Sequence, residues 1–373
     1  MNPQPLRILQ LNTVFNGGGT DNQTMELAMG LSALGHTVAT ACPEGRRCSK
    51  QMAEAGFAMR HVEPKSKPKL ILQLRRLIRS ESFQVIHSHH GRDYWPAVIA
   101  AKLSGKRPAV VVTRHLATLP SRASRMFLLR GVDALVAVSD HVRDLLLPGF
   151  SGPKERIHRI YGGIDIAKFH AVSPAAALAF RQQHGVGPEN VVFAVVGAFG
   201  LPRGKGQMEF VDAAALVLKA QPHARFWIIG QGSMRPLLEE RIAKLGLAEK
   251  VRIIPFTDEI ATAMNAIDVL VHPAVGTEAL GLVLWEAMAC GKPVIASRLG
   301  GIPEAFREPD HGMLVAPADV PELASAMGFM ASDADRRRLM GHSARAYAIE
   351  HCSRENQARE MVRIYVSVLR SRV

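Results

Sequence analysis

The stretch from His272 to Glu304 carries two carboxylates at a spacing that suits a ligand lying between them. Glu278 precedes a predicted helix, and Glu286 follows eight residues later inside it. If residues 278–286 were all helical, the carboxylates would lie ~12 Å apart along the axis, about the span from the sugar to the ribose of a nucleotide sugar. The unpaired N–H groups at a helix N-terminus suit a diphosphate between them. Taken singly, each glutamate is more typical of a solvated helix face than of a ligand site.

The same stretch continues through a buried strand, Pro293–Ser297, to a Gly300-Gly301 turn. The Glu-x7-Glu spacing, the run AMACGKPVIAS and the turn GGIPE together closely resemble glycosyltransferase family 4, and the resemblance extends over nearly the whole chain. It implies the GT-B fold, in which two Rossmann-like α/β domains face each other across a cleft and a C-terminal helix crosses back to the first domain. It also implies retaining transfer from a nucleotide sugar, as in glycosyltransferases of the lipopolysaccharide core or of lipid-linked glycans.

The resemblance assigns the donor-binding residues to the second half of the chain. Glu278 would hold hydroxyls of the donor sugar, Glu286 would bind the ribose, and Lys205 would clamp the diphosphate. The family's usual arginine is absent because Ala198 occupies its position, so Arg203 is the candidate second cation. For Lys205, a solvated lysine is the alternative. Further nucleotide-sugar contacts are implied for Gly230, Gly232, Phe256, Thr257, Leu280, Gly281 and Leu282.

The first half opens with a predicted βαβ unit: a buried strand at 7–11, a glycine-rich loop, a helix at 22–34 and a strand at 37–41. By itself the glycine triplet is typical of a tight turn. The resemblance places Gly18 and Gly19 close to the donor phosphate and the acceptor, and Gln23 against the acceptor.

Histidines follow two later strands of the first half. His115 comes two residues after the end of the predicted strand Val110–Thr113, where open α/β sheets bind ligands. The resemblance gives it a contact with the donor sugar, which completes a catalytic set of Glu278, His115, Lys205 and Arg203; a capping or core histidine is the alternative. His87 and His89 share one side of a strand, but no third ligand accompanies them, so we expect no zinc site.

A further pattern, Asp333-Ala334-Asp335, matches the metal motif of a different glycosyltransferase architecture. It opens a helix, where acidic residues cap free N–H groups and complement the helix dipole. We therefore expect a capping role, no divalent metal and no cofactor. The nucleotide sugar is a substrate, and uridine diphosphate is the expected carrier on the strength of the resemblance.

Length and composition predict two domains of ordinary size in a chain of 373 residues. Short Val- and Ile-rich strands alternate with helices, as in parallel sheets covered on both faces. A polar, Ala-rich segment separates the halves, so we expect domains at 1–170 and 171–353 and a final helix at 354–373. No apolar run reaches membrane-spanning length, no signal peptide is recognisable, and four scattered cysteines suit a reducing compartment, so the sequence favours a cytoplasmic protein.

The net charge of +13 is concentrated in the first half, where residues 1–170 hold 24 Lys and Arg against 12 Asp and Glu. The segments 64–80 and 121–131 mix cations with large apolar residues, as membrane-surface helices do, although ordinary packing onto a sheet explains such segments equally well. We expect a phosphorylated glycan or glycolipid acceptor, such as lipopolysaccharide core, and peripheral contact with an anionic membrane.

Three other classes of protein are alternatives to a glycosyltransferase. A different GT-B enzyme, such as a sugar-nucleotide epimerase or a phosphorylase, would share the donor site. A basic nucleic-acid-binding protein is disfavoured because the sequence has no known binding motif and only 6% aromatic residues for base stacking. A nicotinamide dehydrogenase is disfavoured because no acidic residue follows a full GxGxxG motif at the required distance.

Overall fold

A computed structural model describes residues 4–15, 17–201 and 204–372. The chain forms two compact units: the first consists of residues 1–164 and 353–373, and the second of residues 165–352. The predicted second cation, Arg203, lies outside the described residues.

The first unit is built on a parallel sheet of seven strands, counted over the described residues, in the order β3-β2-β1-β4-β5-β6-β7. Its strands are β1 (Arg7–Leu11), β2 (Thr37–Cys42), β3 (Ala58–His61), β4 (Val85–Ser88), β5 (Ala109–Arg114), β6 (Ala134–Ala137) and β7 (Ile157–Arg159). The intervening helices are α1 (Gly19–Ala33), α2 (Arg47–Glu54), α3 (Lys67–Glu81), α4 (Tyr94–Leu103), α5 (Arg122–Gly131) and α6 (Asp140–Gly149). The strand order reverses between β1 and β4, and ligands bind at such a switch point in open α/β sheets.

The second unit repeats this plan with a parallel sheet of six described strands in the order β10-β9-β8-β11-β12-β13. Its strands are β8 (Val191–Val196), β9 (Ala224–Ile229), β10 (Val251–Ile254), β11 (Val269–His272), β12 (Val294–Ser297) and β13 (Gly312–Val315). Its helices are α7 (Pro174–Gln183), α8 (Gln207–Val217), α9 (Arg235–Lys244), α10 (Ile260–Ala266), α11 (Leu282–Ala289), α12 (Val320–Ser332) and α13 (Ala334–His351). Here the switch point lies between β8 and β11.

The C-terminal helix α14 (Arg354–Arg370) belongs to the first unit, although it follows the second in the chain. It packs against α1, and its Met361, Val362 and Tyr365 join the apolar core of the first unit. The chain leaves this unit after Ile164 and re-enters it at Ser353, where the two residues form a parallel bridge. A C-terminal helix that returns to the first domain is therefore confirmed.

The predicted fold class, two Rossmann-like parallel α/β units, is confirmed. Both sheets contain strands that are buried along their whole length, such as β4 and β5 in the first and β11 and β12 in the second, because helices cover both faces. Asp333 is the N-cap of α13 and its side chain accepts a hydrogen bond from the Arg336 N–H at 2.8 Å, which confirms the capping role predicted for the Asp-Ala-Asp pattern. In the described part of the chain, no helix combines the length and the hydropathy needed to cross a bilayer.

Candidate active site

Lys205 and His272 converge on the carboxylate of Glu278 at the switch point of the second sheet. The Lys205 ammonium lies 2.6 Å from Glu278 Oε2, and His272 Nε2 lies 3.3 Å from the same oxygen. The second carboxylate oxygen accepts the N–H of Ala279 at 3.2 Å. Glu278 is mostly buried, with 12% of its side chain exposed, whereas Lys205 is 38% exposed. The three side chains form a charged cluster whose cation reaches solvent.

The electrostatics of this cluster keep Glu278 ionised. Burial alone would favour the neutral acid, but the hydrogen bond and charge of His272, followed by those of Lys205, outweigh it and lower the pKa of Glu278 to about 2. A buried carboxylate fixed by two side-chain partners is preorganised to accept hydrogen bonds from hydroxyl groups. Perturbed ionisation of this kind is concentrated at functional sites.

Two glycines allow the backbone to approach closely enough to assemble this cluster. Gly206 caps α8 with a φ of 85°, and a Cβ atom there would lie 1.8 Å from the Pro273 carbonyl oxygen. Gly300 has a φ of 57°, and its Cβ would lie 2.1 Å from the carbonyl oxygen of Glu278. Side chains at these positions would therefore displace the backbone next to Lys205 and Glu278.

The N-terminus of α11 follows Glu278 directly. Gly281 caps the helix with a φ of 86°, and the helix begins at Leu282, so Glu278 lies in a loop before the helix and Glu286 within it, as predicted. Glu286 is half-buried, as is Leu282, while Leu280 is buried. Because the first N–H groups of a helix have no partner within it, this end of α11 offers backbone donors to an anion.

A second group of predicted residues lies at the carboxyl ends of β9 and β10. Gly230 and Gly232 follow β9, and a Cβ at either would lie 2.2 Å from a carbonyl oxygen of the neighbouring loop, that of Gly197 or Phe199. After β10, Phe256 keeps 48% of its surface exposed, and the Thr257 hydroxyl accepts the Glu259 N–H at 3.0 Å. Both segments therefore end at the same edge of the sheet as the Glu278 cluster.

In the first unit, the glycine-rich loop between β1 and α1 is held by a polar network. Gly18, with a φ of 122°, caps α1, and Gly19 is its first residue. Asp21 accepts the Gly17 N–H and the Asn12 side-chain amide, both at 2.8 Å. A Cβ at Gly18 or Gly19 would meet nothing within 4 Å, so both face open space.

Gln23, which we expected against an acceptor, has a structural role instead. Its amide donates to the Gly163 carbonyl at 2.7 Å and accepts the Gly163 N–H at 3.0 Å, and the residue is only 3% exposed. With both ends of the amide used to fix the backbone, the side chain is not available to a ligand.

His115 lies where predicted, directly after β5, and it belongs to a cluster of histidines. Its Nε2 atom is 3.3 Å from His89 Nδ1, while His87 bonds Tyr365 and Thr113 through its two ring nitrogens, at 2.6 and 2.7 Å. Burial lowers the pKa of His115 to about 3, with the charge of Arg114 as the next cause. The described residues contain no group of three His, Cys, Asp or Glu side chains that could hold a metal ion.

The sequence analysis did not identify two polar residues, His272 and Asp93. His272 ends β11, so the rule that ligands bind at the carboxyl ends of strands could have identified it. Asp93, fully buried, accepts the N–H of Thr13 at 2.9 Å and its hydroxyl at 2.5 Å, which ties α4 to the loop after β1. Nothing in the local sequence indicates the contact between Asp93 and Thr13, because these two residues are far apart in the chain.

Comparison with known proteins agrees with this geometry. Residues 17–168 match the family model described as "Glycosyltransferase Family 4", and residues 190–333 match "Glycosyl transferases group 1". The D-inositol 3-phosphate glycosyltransferase of Corynebacterium urealyticum is 30% identical over 315 residues, which cover 77% of this chain and 72% of that protein.

One further relative and one crystal structure are also similar to this chain. The GDP-mannose-dependent alpha-(1-6)-phosphatidylinositol monomannoside mannosyltransferase of Mycolicibacterium smegmatis is 31% identical over 228 residues, 59% of this chain and 58% of that protein. The crystal structure of Anabaena HepE in complex with UDP-glucose superposes with a TM-score of 0.86 at 22% identity, over 97% of this chain and 100% of that one. With both halves matched and a relative of this similarity spanning most of its length, the chain is a member of glycosyltransferase family 4 with the GT-B fold.

Proposed function

We propose that this glycosyltransferase moves a sugar from a nucleoside-diphosphate sugar, with retained anomeric configuration, to a phosphorylated glycan or glycolipid. The observation that carries the proposal is the cluster of Lys205, His272 and Glu278 next to the free N–H groups of α11. It offers a cation and backbone donors for a departing diphosphate, and a fixed carboxylate for sugar hydroxyls.

Each group of the donor then has a partner. Lys205 and the N–H groups at 281–283 stabilise the negative charge that develops on the leaving diphosphate, with Arg203 as the second cation. Glu278 holds hydroxyls of the sugar, His115 contacts the same sugar, and Glu286 binds the ribose. The remaining contacts, to the base and phosphates, fall to Gly18, Gly19, Gly230, Gly232, Phe256, Thr257, Leu280, Gly281 and Leu282.

The ion pair between Lys205 and Glu278 gives this assignment a mechanism. In the structure, Glu278 Oε2 holds the ammonium 2.6 Å away. A diphosphate carries more negative charge than a carboxylate, so it draws Lys205 toward itself and frees an oxygen of Glu278 for a hydroxyl. The energy of the ion pair is in this way exchanged for two donor contacts, and the site reorganises little during the reaction.

We further propose that the reaction needs neither a cofactor nor a divalent metal and forms no covalent sugar–enzyme intermediate. Glu278 stays bonded to His272 and to the Ala279 N–H after Lys205 has moved to the diphosphate, which makes it a poor nucleophile, and the departing phosphate takes the proton of the incoming hydroxyl. A trapped sugar ester on Glu278 would overturn the proposal that no covalent intermediate forms. Loss of activity after metal chelation would overturn the proposal that no metal is needed.

For the donor base, uridine is the better candidate, although the relatives differ. HepE binds UDP-glucose, whereas the M. smegmatis mannosyltransferase is named for GDP-mannose. A uridine base needs only a shallow platform, and Phe256, half of whose surface is exposed, is positioned after β10 to supply one.

The acceptor is proposed to carry an anionic group because a cavity of about 360 Å³ in the first unit is bordered by cations. Its lining includes Lys65, Lys67 and Arg92, with Thr13 and Asp93 alongside. Asp93 is buried and both of its oxygens accept hydrogen bonds from Thr13, so these oxygens already have partners within the protein. Both curated relatives have names that contain a phosphorylated inositol, which agrees with an acceptor of this kind.

Peripheral membrane contact is proposed for one of the two segments that the sequence singled out. In α3 the apolar residues Leu70, Leu74 and Ile78 are buried, so ordinary packing explains most of that helix. In α5, by contrast, Met126 and Phe127 are each about half exposed, with Arg122 and Arg130 exposed beside them. This pair of large apolar side chains among cations is the feature that suits an anionic surface.

A donor screen with a matched pair of variants tests the proposal. Thermal unfolding is followed with UDP- and GDP-sugars, because a ligand at 100 times its Kd stabilises the folded state by ~2.7 kcal/mol. Lys205→Met should abolish the shift given by the best donor, while Lys219→Met, an exposed lysine of the same unit, should preserve it. The absence of a shift with every nucleotide sugar would reject the donor site.

Product analysis separates the competing enzymes. Transfer predicts a new glycoside only when an acceptor is present, and NMR of its anomeric proton reports retention. A changed sugar without any acceptor would indicate an epimerase, and dependence on inorganic phosphate would indicate a phosphorylase. Binding of single-stranded nucleic acid unaffected by nucleotide sugars would favour the nucleic-acid-binding alternative.

A further inference from the structure

The histidine cluster of the first unit contains one ring whose hydrogen bonding is incomplete. His87 has both ring nitrogens bonded, to the hydroxyl groups of Tyr365 and Thr113. His89 is only 3% exposed and packs against His87 with ring centroids 4.2 Å apart and a 33° tilt, and its ring is hydrogen-bonded through Nδ1 to His115. Its other ring nitrogen, Nε2, is buried and has no partner among the described residues.

This missing partner indicates which nitrogen of His89 carries the proton. Burial, followed by the charges of His87 and His115, holds the pKa of His89 well below its ordinary value, so the ring is neutral and has a single N–H. Unpaired buried N–H groups are rare because the lost hydrogen bond is not replaced. The proton therefore belongs on Nδ1, the atom that faces His115, and the Nδ1–H group donates to His115 Nε2 at 3.3 Å.

The tautomer of His89 determines that of His115. His115 is also neutral, since burial and Arg114 lower its pKa to about 3. With Nε2 accepting from His89, its own proton must lie on Nδ1. The residue as a whole is only half-buried, so part of it reaches the surface of the unit.

We propose that His89 is a positioning residue, which holds His115 as the Nδ1–H tautomer so that it offers one oriented N–H donor to a substrate oxygen. The part of this inference that concerns substrate depends on the proposed function; the tautomer does not. Other groups with an electrostatic influence on the pair are His87, His90 and Arg114, all cationic or capable of becoming so. Each of them disfavours a second proton on either ring.

Two variants separate positioning from simple packing. His89→Asn retains an N–H donor at the place of Nδ1, whereas His89→Leu fills similar space without a donor. If His89 positions His115, the asparagine variant should keep the tautomer and the leucine variant should release it into a mixture. Thermal melts of both variants report whether either one fails to fold.

The primary readout needs no ligand. Two-bond ¹H–¹⁵N spectra of the full chain labelled with ¹⁵N-histidine distinguish the two neutral tautomers by the shifts of the ring nitrogens. We expect His115 of the wild-type protein to be the Nδ1–H form at pH 7, unchanged in His89→Asn. A wild-type His115 in the Nε2–H form, or protonated on both nitrogens, would overturn the proposal without any variant having to fold.

Turnover with UDP-glucose as the probe donor tests the functional part. His89→Leu should lower kcat about tenfold with little change in KM, and His89→Asn should stay within about threefold of wild type. Equal losses in two folded variants, or a larger loss in His89→Asn than in His89→Leu, would show that the donor at the place of Nδ1 does not determine the activity. If the tautomers behave as expected but no sugar nucleotide is turned over by the wild type, the positioning role stands and the proposed function fails.

Discussion

At the scale of single residues, Glu278 couples the stability of the second unit to acid. Its pKa of about 2 lies below the ordinary value of 4.5, so the folded state binds its proton less readily than the unfolded chain does. The stabilisation is fully present above about pH 4.5 and is lost as the pH falls toward 2. With Lys205 partly exposed and screened, we expect a contribution on the order of 2 kcal/mol.

The measurement compares Glu278→Gln with wild type by chemical denaturation between pH 7 and pH 3. The glutamine variant should be less stable at pH 7, and the difference should shrink as the pH falls. Glu249→Gln, which changes an exposed glutamate of the same unit, serves as the control and should show no such convergence. A difference that stays constant over this range would refute the assigned ionisation.

Asp93 should make the stability of the first unit depend on pH in the direction opposite to Glu278. Burial raises the pKa of this carboxyl from 3.8 to about 6, against the opposing hydrogen bonds from Thr13. The folded state therefore prefers the protonated acid, and stability is lost as the pH rises from about 4 through 6. Asp93→Asn keeps an acceptor for the Thr13 N–H and an amide for its hydroxyl, so its stability relative to wild type should rise over that window, by up to about 3 kcal/mol. A falling relative stability, read from the same denaturation curves, would contradict this assignment.

Part of the candidate site could be predicted from residue types and spacing. The rest could not, because it depends on contacts between segments that are far apart in the chain. Glu278, Glu286 and Gly281 are close in sequence, so their arrangement around the start of α11 could be predicted. The ion pair with Lys205 depends on the close approach of Gly206 to Pro273, which only the folded chain reveals. The roles proposed for these residues stay predictions until donor binding is measured.

At the scale of elements, the turn after β12 determines where the Glu278 backbone lies. Gly300→Ala would place a Cβ in the left-handed region and 2.1 Å from the Glu278 carbonyl oxygen, so we expect a loss of at least about 2 kcal/mol in unfolding free energy and of donor binding. Gly328→Ala is the control, since that glycine lies within α12 and a Cβ there would meet nothing within 4 Å. It should stabilise the protein by ~0.5–1 kcal/mol, as removal of a helical glycine does. Equal effects of the two changes on the melting temperature would show that the turn tolerates a side chain.

Strands with continuous burial were the elements that sequence predicted best. Strand β1 has the predicted bounds, and β2, β5 and β12 differ from theirs by at most one residue at either end, because short apolar runs between polar turns mark where a strand begins and ends. By contrast, β3 was not predicted. It is an edge strand with the sequence AMRH and only partial burial, so no apolar run marks it, and its pairing with β2 is a tertiary effect.

At the scale of the whole molecule, the excess charge follows the structural units more sharply than it follows the halves of the sequence. The first unit, with its C-terminal helix, contains 28 Lys and Arg against 13 Asp and Glu, whereas the second contains 18 against 20. The net charges are thus +15 and −2, and α14 adds to the cationic unit. This division suits an anionic acceptor or surface for the first unit, whereas an anion at the second unit would depend on a few local groups.

That asymmetry leads to a prediction about anionic vesicles. The wild-type chain should sediment with phosphatidylglycerol vesicles at low salt and be released near 1 M salt, where charges are screened beyond ~3 Å. Phe127→Ser should weaken binding about tenfold, because the side chain no longer enters the apolar layer, a burial worth ~1.5–3 kcal/mol. Phe329→Ser is the matched control, since Phe329 is 45% exposed on α12 of the weakly acidic second unit, against 48% for Phe127. Equal losses in the two variants would show that α5 does not direct the contact. Binding of the wild type to uncharged vesicles would show that the charge of the first unit does not drive it.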